Sequence, residues 1–562
     1  HGVSNVLNIP AAKISSKVRR LGGGFGGKES QSTIYAAIAA LGAYILDKPV
    51  KLRLNRKDDM ASSGKRHDFE VKYTVGFNKK GKIKGLDITL LSNAGNVCDL
   101  SAPVMSRALT HLDNCYSFKD FTARGYICKT NTVSNTAFRG FGGPQGMLAI
   151  ETILERVSRF LGIDLDALRH ENYYSAKNGI KTPYGQIVKN IKIEKIINEM
   201  ETFAGLEKRK LLVERFNTSQ INKNQPYRKG IAFMPAKFGI SFNKVSLNQA
   251  GALVHVYTDG SVRLNHGGTE MGQGLFTKVA QVVSECFNIP LDYVHIAGTN
   301  TDEVPNTSAT AASSGSDING MAAWKAATVI KQRMLKHASK VFKKPPSSIE
   351  FKNGLILSGN KSMTFKELAF SCWENRISLS STGFYKTPKI SWDQEKFKGS
   401  PYFYFTWGAA VSEAIIDIDT GESRILRADI IQDCGSSLNP LIDRGQIEGG
   451  FIQGIGWLTC EELYFNPEGK LLTLGPSTYK IPGSRDVPPE FNIKLLENTP
   501  NEEKTIFRSK AVGEPPLLLS ISHFLALKNA VSMASETSNA DLLNAPATPS
   551  KILAAVHNDH SM

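Results

Sequence analysis

The 562-residue sequence has few cysteines, and none of them stand at the spacings that usually hold a metal. The seven cysteines lie far apart and form no CxxC pair, which argues against a zinc ribbon or an ordinary iron–sulfur site. An odd number of scattered thiols is typical of a reducing compartment. We therefore expect a cytosolic protein, with the peroxisome as the alternative location.

Long apolar runs are absent as well. No stretch approaches the roughly 18–20 uncharged apolar residues that a membrane span needs, so we expect no membrane partner. The chain opens at His1 without a signal-peptide pattern, as a fragment from inside a larger protein would. The net charge of +16 is dispersed and lacks a nucleic-acid-binding signature, which favours an anionic ligand or acidic partner over nucleic acid.

A chain of this length needs more than one hydrophobic core, and its patterns mix helices with strands. We expect an α+β protein with a domain over residues 1–180, a second over residues 181–545 and a C-terminal tail over residues 546–562. The polar, lysine-rich residues 176–228 are the candidate domain connection, and the chain from Asn539 onward is expected to be peripheral.

Residue patterns predict several individual elements. Alanine-rich and amphipathic stretches predict helices, and alternating apolar and polar residues around turn sequences predict hairpins. The predicted helices cover residues 32–46 and about 145–161, a short strand covers 18–21, and the predicted hairpins cover residues 69–92, 252–265 and 414–432. The last two hairpins each lead to a glycine-bearing segment, which hints at an internal duplication.

Residues 22–29 (GGGFGGKE) form the first glycine-rich loop. The sequence nearly matches a phosphate-binding loop, but Glu29 stands where that loop needs Ser or Thr to hold magnesium. A carboxylate there would repel nucleotide phosphates, so the pattern argues against an ATPase. The loop can still bring backbone amides close to an anionic ligand ahead of a helix, and a purely structural turn is the alternative.

Four further segments combine glycine with amide or hydroxyl side chains. They are residues 138–146 (FRGFGGPQG), 267–274 (GGTEMGQG), 310–316 (TAASSGS) and 449–454 (GGFIQG). One such segment is more often a plain loop, but five in one chain favour a flat, polar cofactor that carries phosphate.

Glu514 stands apart because Gly513 precedes it and two prolines and an apolar run follow it. A partly buried carboxylate in a stiff backbone suits a general base. A salt bridge to Lys510 explains the same residue equally well, and local sequence does not decide between the two.

Together these segments resemble the molybdenum hydroxylases, the xanthine dehydrogenase and aldehyde oxidase family. The resemblance runs in order over nearly the whole chain and includes residues 135–147 (NTAFRGFGGPQGM) and 266–274 (HGGTEMGQG). It implies two mixed α/β molybdopterin-binding domains that enclose the cofactor, which glycine-rich loops hold without a direct protein ligand to molybdenum. The positions implied to line the cofactor, in its sulfido form, are Phe25, Gly26, Arg139, Gly272, Gln273, Ala312, Ser313, Gln453 and Gly513.

The resemblance also implies the reaction. Glu514 matches the family's base, which activates a molybdenum-bound hydroxide for attack on an electron-poor carbon. Phe141 and Phe242 match two aromatic residues that sandwich a flat heterocycle, and Asn243 stands where many relatives carry a substrate-contacting threonine.

Glu29 and Arg107 match a pair that orients purines in the xanthine dehydrogenase branch of this family. Arg107 would stabilise negative charge on the purine oxygen, and Glu29 would hydrogen-bond the ring. The expected substrates are therefore hypoxanthine and xanthine.

The resemblance implies a larger parent enzyme. The parent would carry two [2Fe–2S] clusters and FAD in domains that this chain lacks, would pass electrons to NAD or oxygen, and would form a homodimer. Two alternatives remain at this point: an aldehyde oxidase, or an inactive module that only binds cofactor or dimerises.

Overall fold

The computed structural model describes residues 1–304 and 307–559. Residues 1–222 form a mainly helical region with one small sheet. Its elements are α1 (Gly2–Leu7), β1 (Lys17–Val18), α2 (Ser32–Leu46), α3 (Arg56–Ser62), β2 (Phe69–Phe77), β3 (Ile83–Gly95), α4 (Ser101–Leu109), β4 (Asp120–Lys129), α5 (Gly143–Leu161), α6 (Leu165–Asn172), α7 (Ile193–Ala204) and α8 (Leu206–Asn222).

The rest of the chain adds most of the strands. Its elements up to β13 are β5 (Tyr227–Ile240), β6 (Gln249–Val256), β7 (Val262–His266), α9 (Leu275–Phe287), β8 (Val294–Ile296), β9 (Thr299–Asn300), α10 (Gly315–Phe342), β10 (Glu350–Lys352), β11 (Leu355–Ser358), β12 (Lys361–Thr364), α11 (Phe365–Glu374) and β13 (Ser380–Lys386). Those that follow are β14 (Ser391–Asp393), β15 (Lys398–Ser400), β16 (Tyr404–Asp417), β17 (Ser423–Gln432), α12 (Pro440–Thr459), β18 (Glu490–Leu495), α13 (Pro515–Leu518), α14 (Ile521–Ser532) and α15 (Pro549–His557).

One supersecondary unit occurs three times. An antiparallel hairpin is followed by a helix and then by a strand that pairs in parallel with the second hairpin strand. The three units are β2-β3-α4-β4, β6-β7-α9-β8 and β16-β17-α12-β18. In the second and third units a further antiparallel strand, β13 or β5, extends the sheet on the hairpin side. The sheet topology therefore supports the internal duplication that the sequence hinted at.

The two larger sheets each carry a long helix at close range. A Cβ on Gly383 in β13 would strike the backbone of α10 at Ala322, and one on Gly230 in β5 would strike α14 at Ala526. Glycine is therefore required at both positions for the helix to lie against its sheet. α10 begins within residues 310–316, and α14 begins shortly after residues 513–516. Both helices therefore start next to segments singled out in the sequence.

The sheet of β5, β16, β17 and β18 is buried on both faces. Met234 and Ala410 belong to a core shared with α12 and α14, whereas Phe233 and Val411 belong to a core shared with α5 and α7. A third core lies between α9, α10 and the sheet of β6. This central sheet joins the two halves of the chain.

The helices and hairpins predicted from residue patterns are confirmed. The alanine-rich stretch forms α2, the amphipathic stretch forms α5, and each of the three predicted hairpins pairs antiparallel about its predicted turn. The short strand predicted at residues 18–21 is β1, which lies at residues 17–18.

Residues 176–228, the candidate domain connection, contain α7 and α8, and Ile193, Ile196 and Met200 are buried in a core. The role of this segment as a domain connection stays a prediction. The chain beyond Asn539 is not peripheral, because Ile552 and Val556 of α15 are buried against the core under α14. Both segments are amphipathic helices whose apolar side chains find distant partners. The last three residues, 560–562, lie outside the described residues, and the domain boundaries at 180 and 545 stay predictions.

Candidate active site

The loop of residues 22–27 joins two other glycine-rich segments. The Arg139 amide donates to the Phe25 carbonyl at 2.7 Å, and the Leu21 amide donates to the Glu270 carbonyl at 2.9 Å. Gly26 has φ 110°, and a Cβ there would lie 2.6 Å from the Cα atom of Phe138. The close approach of these two loops therefore depends on glycine at this position.

Arg139 is the centre of the cluster. Its Nε donates to the Gly513 carbonyl at 2.6 Å, and its Nη2 and Nη1 reach the Gln446 carbonyl at 3.1 Å and Gln453 Oε1 at 3.3 Å. Burial lowers the pKa of Arg139 to about 10, while the nearby Glu514 carboxylate opposes that shift. One buried guanidinium thus holds three separate chain segments together.

Glu514 begins α13 and faces the start of α10. The Ser313 hydroxyl donates to Glu514 Oε2 at 2.7 Å and accepts the Glu514 amide proton at 2.8 Å. Ala312 and Ser313 both have positive φ, at 54° and 56°, which turns the Ser313 side chain out of the helix path. The geometry therefore fixes this carboxylate at the meeting point of two helix starts.

The alternative role for Glu514, a salt bridge to Lys510, is wrong. Lys510 Nζ lies 2.6 Å from Asp433 Oδ2 and donates to the Phe405 carbonyl at 3.1 Å. Lys510 therefore pairs with a buried aspartate and does not neutralise the Glu514 carboxylate.

The loop of residues 267–274 is braced by Glu270, whose carboxylate accepts the amides of Gly272, Gly274 and Phe276 at 2.8, 3.1 and 2.9 Å. Gln273 spans the same loop: its Oε1 accepts from the Met271 amide, and its Nε2 donates to the Thr269 carbonyl. The Thr269 amide in turn donates to Thr310 Oγ1 at 2.8 Å. All the glycine-rich segments singled out in the sequence therefore meet in one region.

Glu29 lies close enough to Glu514 for the two carboxylates to interact. Burial raises the pKa of Glu29 to about 7, and the Glu514 carboxylate adds to the rise. Glu29 Oε2 is buried and has no hydrogen-bond partner in the described residues. At neutral pH this carboxyl can therefore offer either a proton or a lone pair.

Arg107 is 2% exposed and forms no ion pair with a carboxylate within the described residues. Its Nη1 donates to the Gly239 carbonyl at 2.9 Å and its Nη2 to the Ser241 carbonyl. The guanidinium lies 5.2 Å from the ring centroids of both Phe238 and Tyr402. A buried cation without a counter-ion favours negative charge on any ligand within its reach.

The predicted aromatic pair and its neighbour lie on rigid backbone. Phe141 has φ 53° between two glycines, and Asn248 hydrogen-bonds both the amide and the carbonyl of Phe242. Asn243 Nδ2 reaches Ser106 Oγ at 3.3 Å, while its buried Oδ1 has no hydrogen-bond partner among the described residues. The sandwiching of a heterocycle by Phe141 and Phe242 stays a prediction.

Sequence reasoning missed three residues that support this site: Ser106, His111 and Asn248. Ser106 and His111 act through contacts with residues 137 and 128 positions away, whereas Asn248 holds Phe242 across a local turn that no motif marks. One feature of the sequence could have pointed to His111: it follows Arg107 by four residues, which is about one helical turn.

The described residues contain neither a metal-ligand cluster nor a membrane-spanning helix. Within residues 1–304 and 307–559, no group of three or more His, Cys, Asp and Glu side chains could hold a metal ion. Nor does any helix in those ranges combine the length and apolar composition needed to cross a membrane. All seven cysteines are free.

Comparison with known proteins decides the family. Models described as "Molybdopterin cofactor-binding domain" match residues 1–173 and residues 200–488. The chain belongs to the molybdopterin cofactor-binding domain family. The two matched regions also confirm the predicted mixed α/β architecture with two such domains.

Curated relatives of this molybdopterin cofactor-binding chain are similar over almost all of its length. It is 46% identical to the xanthine dehydrogenase/oxidase of Felis catus over 98% of the chain, which spans 40% of that relative. It is 44% identical to the xanthine dehydrogenase of Dictyostelium discoideum, again over 98% of the chain and 39% of the relative. The chain thus spans about 40% of the length of these relatives.

Solved structures share the fold of the molybdopterin cofactor-binding chain at low sequence identity. Quinoline 2-oxidoreductase from Pseudomonas putida 86 superposes with a TM-score of 0.85 at 20% identity, over 99% of this chain and 70% of that one. Reconstituted CO dehydrogenase from Oligotropha carboxidovorans gives 0.86 at 21% identity, over 99% of this chain and 69% of that one.

The residues present fit a molybdopterin cofactor. The backbone amides of residues 22–27 donate to no acceptor in the described part of the chain, so they are free for a ligand. A Cβ on Gly27 or Gly272 would meet open space, which lets a flat group approach the backbone closely. Free amides beside the buried Arg139 suit a ligand that carries phosphate.

Proposed function

We propose that the protein containing this chain hydroxylates purines, from hypoxanthine to xanthine and from xanthine to urate. One observation carries the proposal: Arg107 is a buried cation without a carboxylate partner in the described residues, and it donates to the Ser241 carbonyl next to Phe242. The 44–46% identity to xanthine dehydrogenases supports the same substrate class.

The bound cofactor would be held by the amides of residues 22–27, Gln273, Ser313, Gln453 and, through the loops it ties together, Arg139. It would supply the redox chemistry by taking up the two electrons released when a substrate carbon–hydrogen bond is replaced by a carbon–oxygen bond. The protein's own residues would orient the substrate and stabilise the charge that develops on it.

Glu514 takes the proton from the oxygen nucleophile. Its carboxylate is held by the Ser313 hydroxyl at 2.7 Å, so that the second carboxylate oxygen is free to act as the base. Because Ser313 also accepts the Glu514 amide proton, the carboxylate and its own backbone are fixed by one group.

Arg107 and Glu29 select the substrate. As the nucleophile attacks, electron density moves onto the purine ring and its oxygen, where the Arg107 guanidinium stabilises it. With a pKa of about 7, the Glu29 carboxyl can hydrogen-bond a ring nitrogen as donor or as acceptor. Phe141 and Phe242 would hold the flat ring between them, and Asn243 would contact its edge.

The remaining features of the parent protein follow from the resemblance. We propose that iron–sulfur and FAD domains carry electrons from this site to NAD or oxygen in a homodimer in the cytosol. The chain itself supplies the site at which substrate is oxidised.

The decisive test is to express the complete parent protein and to assay xanthine and a simple aldehyde beside the Glu514→Gln variant. We expect the substitution to lower xanthine turnover by about 100-fold or more with molybdenum content nearly unchanged. Glu374→Gln, at the exposed end of α11, is the matched control and should retain full turnover. Undiminished turnover by Glu514→Gln would remove it as the base, and a wild-type preference for aldehyde would overturn the purine assignment.

A further inference from the structure

His111 and Arg107 lie one helical turn apart at the end of α4, and both contact Gly239 of β5. The Gly239 amide donates to His111 Nε2 at 3.2 Å, while the Gly239 carbonyl accepts from Arg107 Nη1 at 2.9 Å. His111 Nδ1 lies 2.9 Å from the Arg107 carbonyl. These contacts form a closed ring of hydrogen bonds through three residues.

The ring fixes the tautomer of His111. A backbone amide can only donate, so Nε2 must be an acceptor without a proton. The proton therefore sits on Nδ1, where it donates to the Arg107 carbonyl. In this form the imidazole is neutral, and protonation would break its bond to Gly239.

The surroundings keep the imidazole neutral. Burial lowers the pKa of His111 well below its ordinary value, and the neighbouring cations Arg107 and Lys237 lower it further. Lys237, two residues before Gly239 on β5, is itself paired with Asp113 at 3.0 Å. His111 therefore orders the backbone without adding a second positive charge to the pocket.

Two aromatic rings pack against both side chains. Phe238 and Tyr402 lie 4.6 and 5.3 Å from the His111 ring, and each lies 5.2 Å from the Arg107 guanidinium. The Tyr402 hydroxyl is fixed by Thr110 Oγ1 at 2.6 Å. A shift of the imidazole would therefore move the two aromatic rings that pack against the Arg107 guanidinium.

We propose that His111 is a positioning residue that holds Arg107 for purine recognition. It locks the Gly239 backbone, and that backbone sets where the guanidinium lies. The inference rests on the proposed function, because it assumes that Arg107 acts on a purine. His111 does not touch the substrate and does not move a proton in the reaction.

The test compares His111→Phe with His111→Gln in the complete, cofactor-loaded parent protein. Phenylalanine keeps a ring against Phe238 and Tyr402 but makes neither hydrogen bond. Glutamine can still accept from the Gly239 amide, so it should recover part of the loss. The control is His337→Phe, a buried histidine far along α10 that is hydrogen-bonded to Ser371.

Three measurements give the result: steady-state kinetics with xanthine, the same with a simple aldehyde, and equilibrium binding of urate. For His111→Phe we expect kcat/KM for xanthine to fall by roughly 10- to 100-fold, as the loss of two buried hydrogen bonds would cause. Aldehyde turnover should change little, and urate binding should weaken in parallel with the xanthine loss. Molybdenum content and thermal unfolding are recorded for every variant.

Equal losses for xanthine and aldehyde in His111→Phe, or no loss for xanthine, would overturn the role of His111 and leave the proposed function standing. An unsubstituted parent that turns over no purine would instead overturn the proposed function and this inference with it. Should His111→Phe fail to fold, His111→Gln decides: a selective xanthine loss supports the role, and wild-type kinetics contradict it.

Discussion

A single hydroxyl, that of Ser313, forms two hydrogen bonds with Glu514: it donates to the carboxylate at 2.7 Å and accepts from the amide at 2.8 Å. Ser313 precedes α10, and Glu514 precedes α13. The two residues thus connect the starts of two helices that pack against different sheets. This contact orients the proposed base from outside its own chain segment.

Ser313→Ala should lower kcat for xanthine by about 10- to 100-fold, because a hydrogen bond to a charged group contributes roughly 1.5–3 kcal/mol. KM should change less, since Ser313 positions the base and not the substrate. Steady-state kinetics check the split. Ser314→Ala, the adjacent hydroxyl that reaches only the Ala311 carbonyl at 3.4 Å, is the control. Equal kcat values for the two variants would contradict the assignment.

Glu29 should make stability depend on pH. Burial raises the pKa of Glu29 from 4.5 to about 7, so the folded protein binds this proton more tightly than the unfolded chain does. Stability contributed here is therefore lost as pH rises from about 4.5 to about 7. Glu29→Gln removes the titration and should gain up to roughly 2–3 kcal/mol over wild type across that window.

Thermal unfolding of wild type and Glu29→Gln at pH 5 and pH 8 measures this difference. Glu374→Gln, at the exposed end of α11, serves as the control and should follow the wild-type curve. The same stability difference between Glu29→Gln and wild type at both pH values would argue against a raised pKa at Glu29.

Arg107→Met should weaken purine turnover far more than aldehyde turnover. Removal of one group that stabilises developing negative charge costs about 10²- to 10³-fold in kcat, and a simple aldehyde has no second oxygen for this side chain to hold. The ratio of kcat/KM for xanthine to that for the aldehyde is the measurement. Arg124→Met, an exposed arginine paired with Asp87, should leave the ratio unchanged. A ratio that Arg107→Met leaves unaltered would count against its role.

Gly26→Ala and Gly27→Ala form a matched pair in the first glycine-rich loop. At Gly26 φ is 110° and the new Cβ would lie 2.6 Å from the backbone of Phe138, whereas at Gly27 it would meet open space. We expect Gly26→Ala to cost at least roughly 1–3 kcal/mol of stability and Gly27→Ala to cost little. Unfolding measured without cofactor separates the two, and equal losses would show that the loops can move apart.

Much of the fold could be predicted because its signals are local. Turn residues between alternating runs located the three hairpins, and the alanine-rich run located α2. The segment around Ile552 was wrongly predicted to be peripheral, since its apolar face packs against residues far away in sequence. Local sequence cannot report which distant surface a helix covers.

Part of the candidate site could likewise be predicted from the sequence, and part could not. Glycine patterns located the loops, and the resemblance assigned Glu514, Glu29 and Arg107. Only the structure shows that Lys510 pairs with Asp433, that Ser313 hydrogen-bonds Glu514, and that His111 accepts from the Gly239 amide. Positioning contacts of this kind join residues as many as 201 positions apart, and no spacing in the chain records them.

The three hairpin–helix–strand units divide the chain into stretches, and the residues of the candidate site fall in different stretches. The residues proposed to recognise the purine, from Glu29 to Asn243, all precede β6, whereas Glu514 and its partner Ser313 follow the second hairpin. Under the proposed function, substrate choice and proton transfer would therefore be encoded in separate stretches of the sequence. We expect mutations in the earlier stretch to change which ring system is accepted while the proposed base in the later stretch is retained.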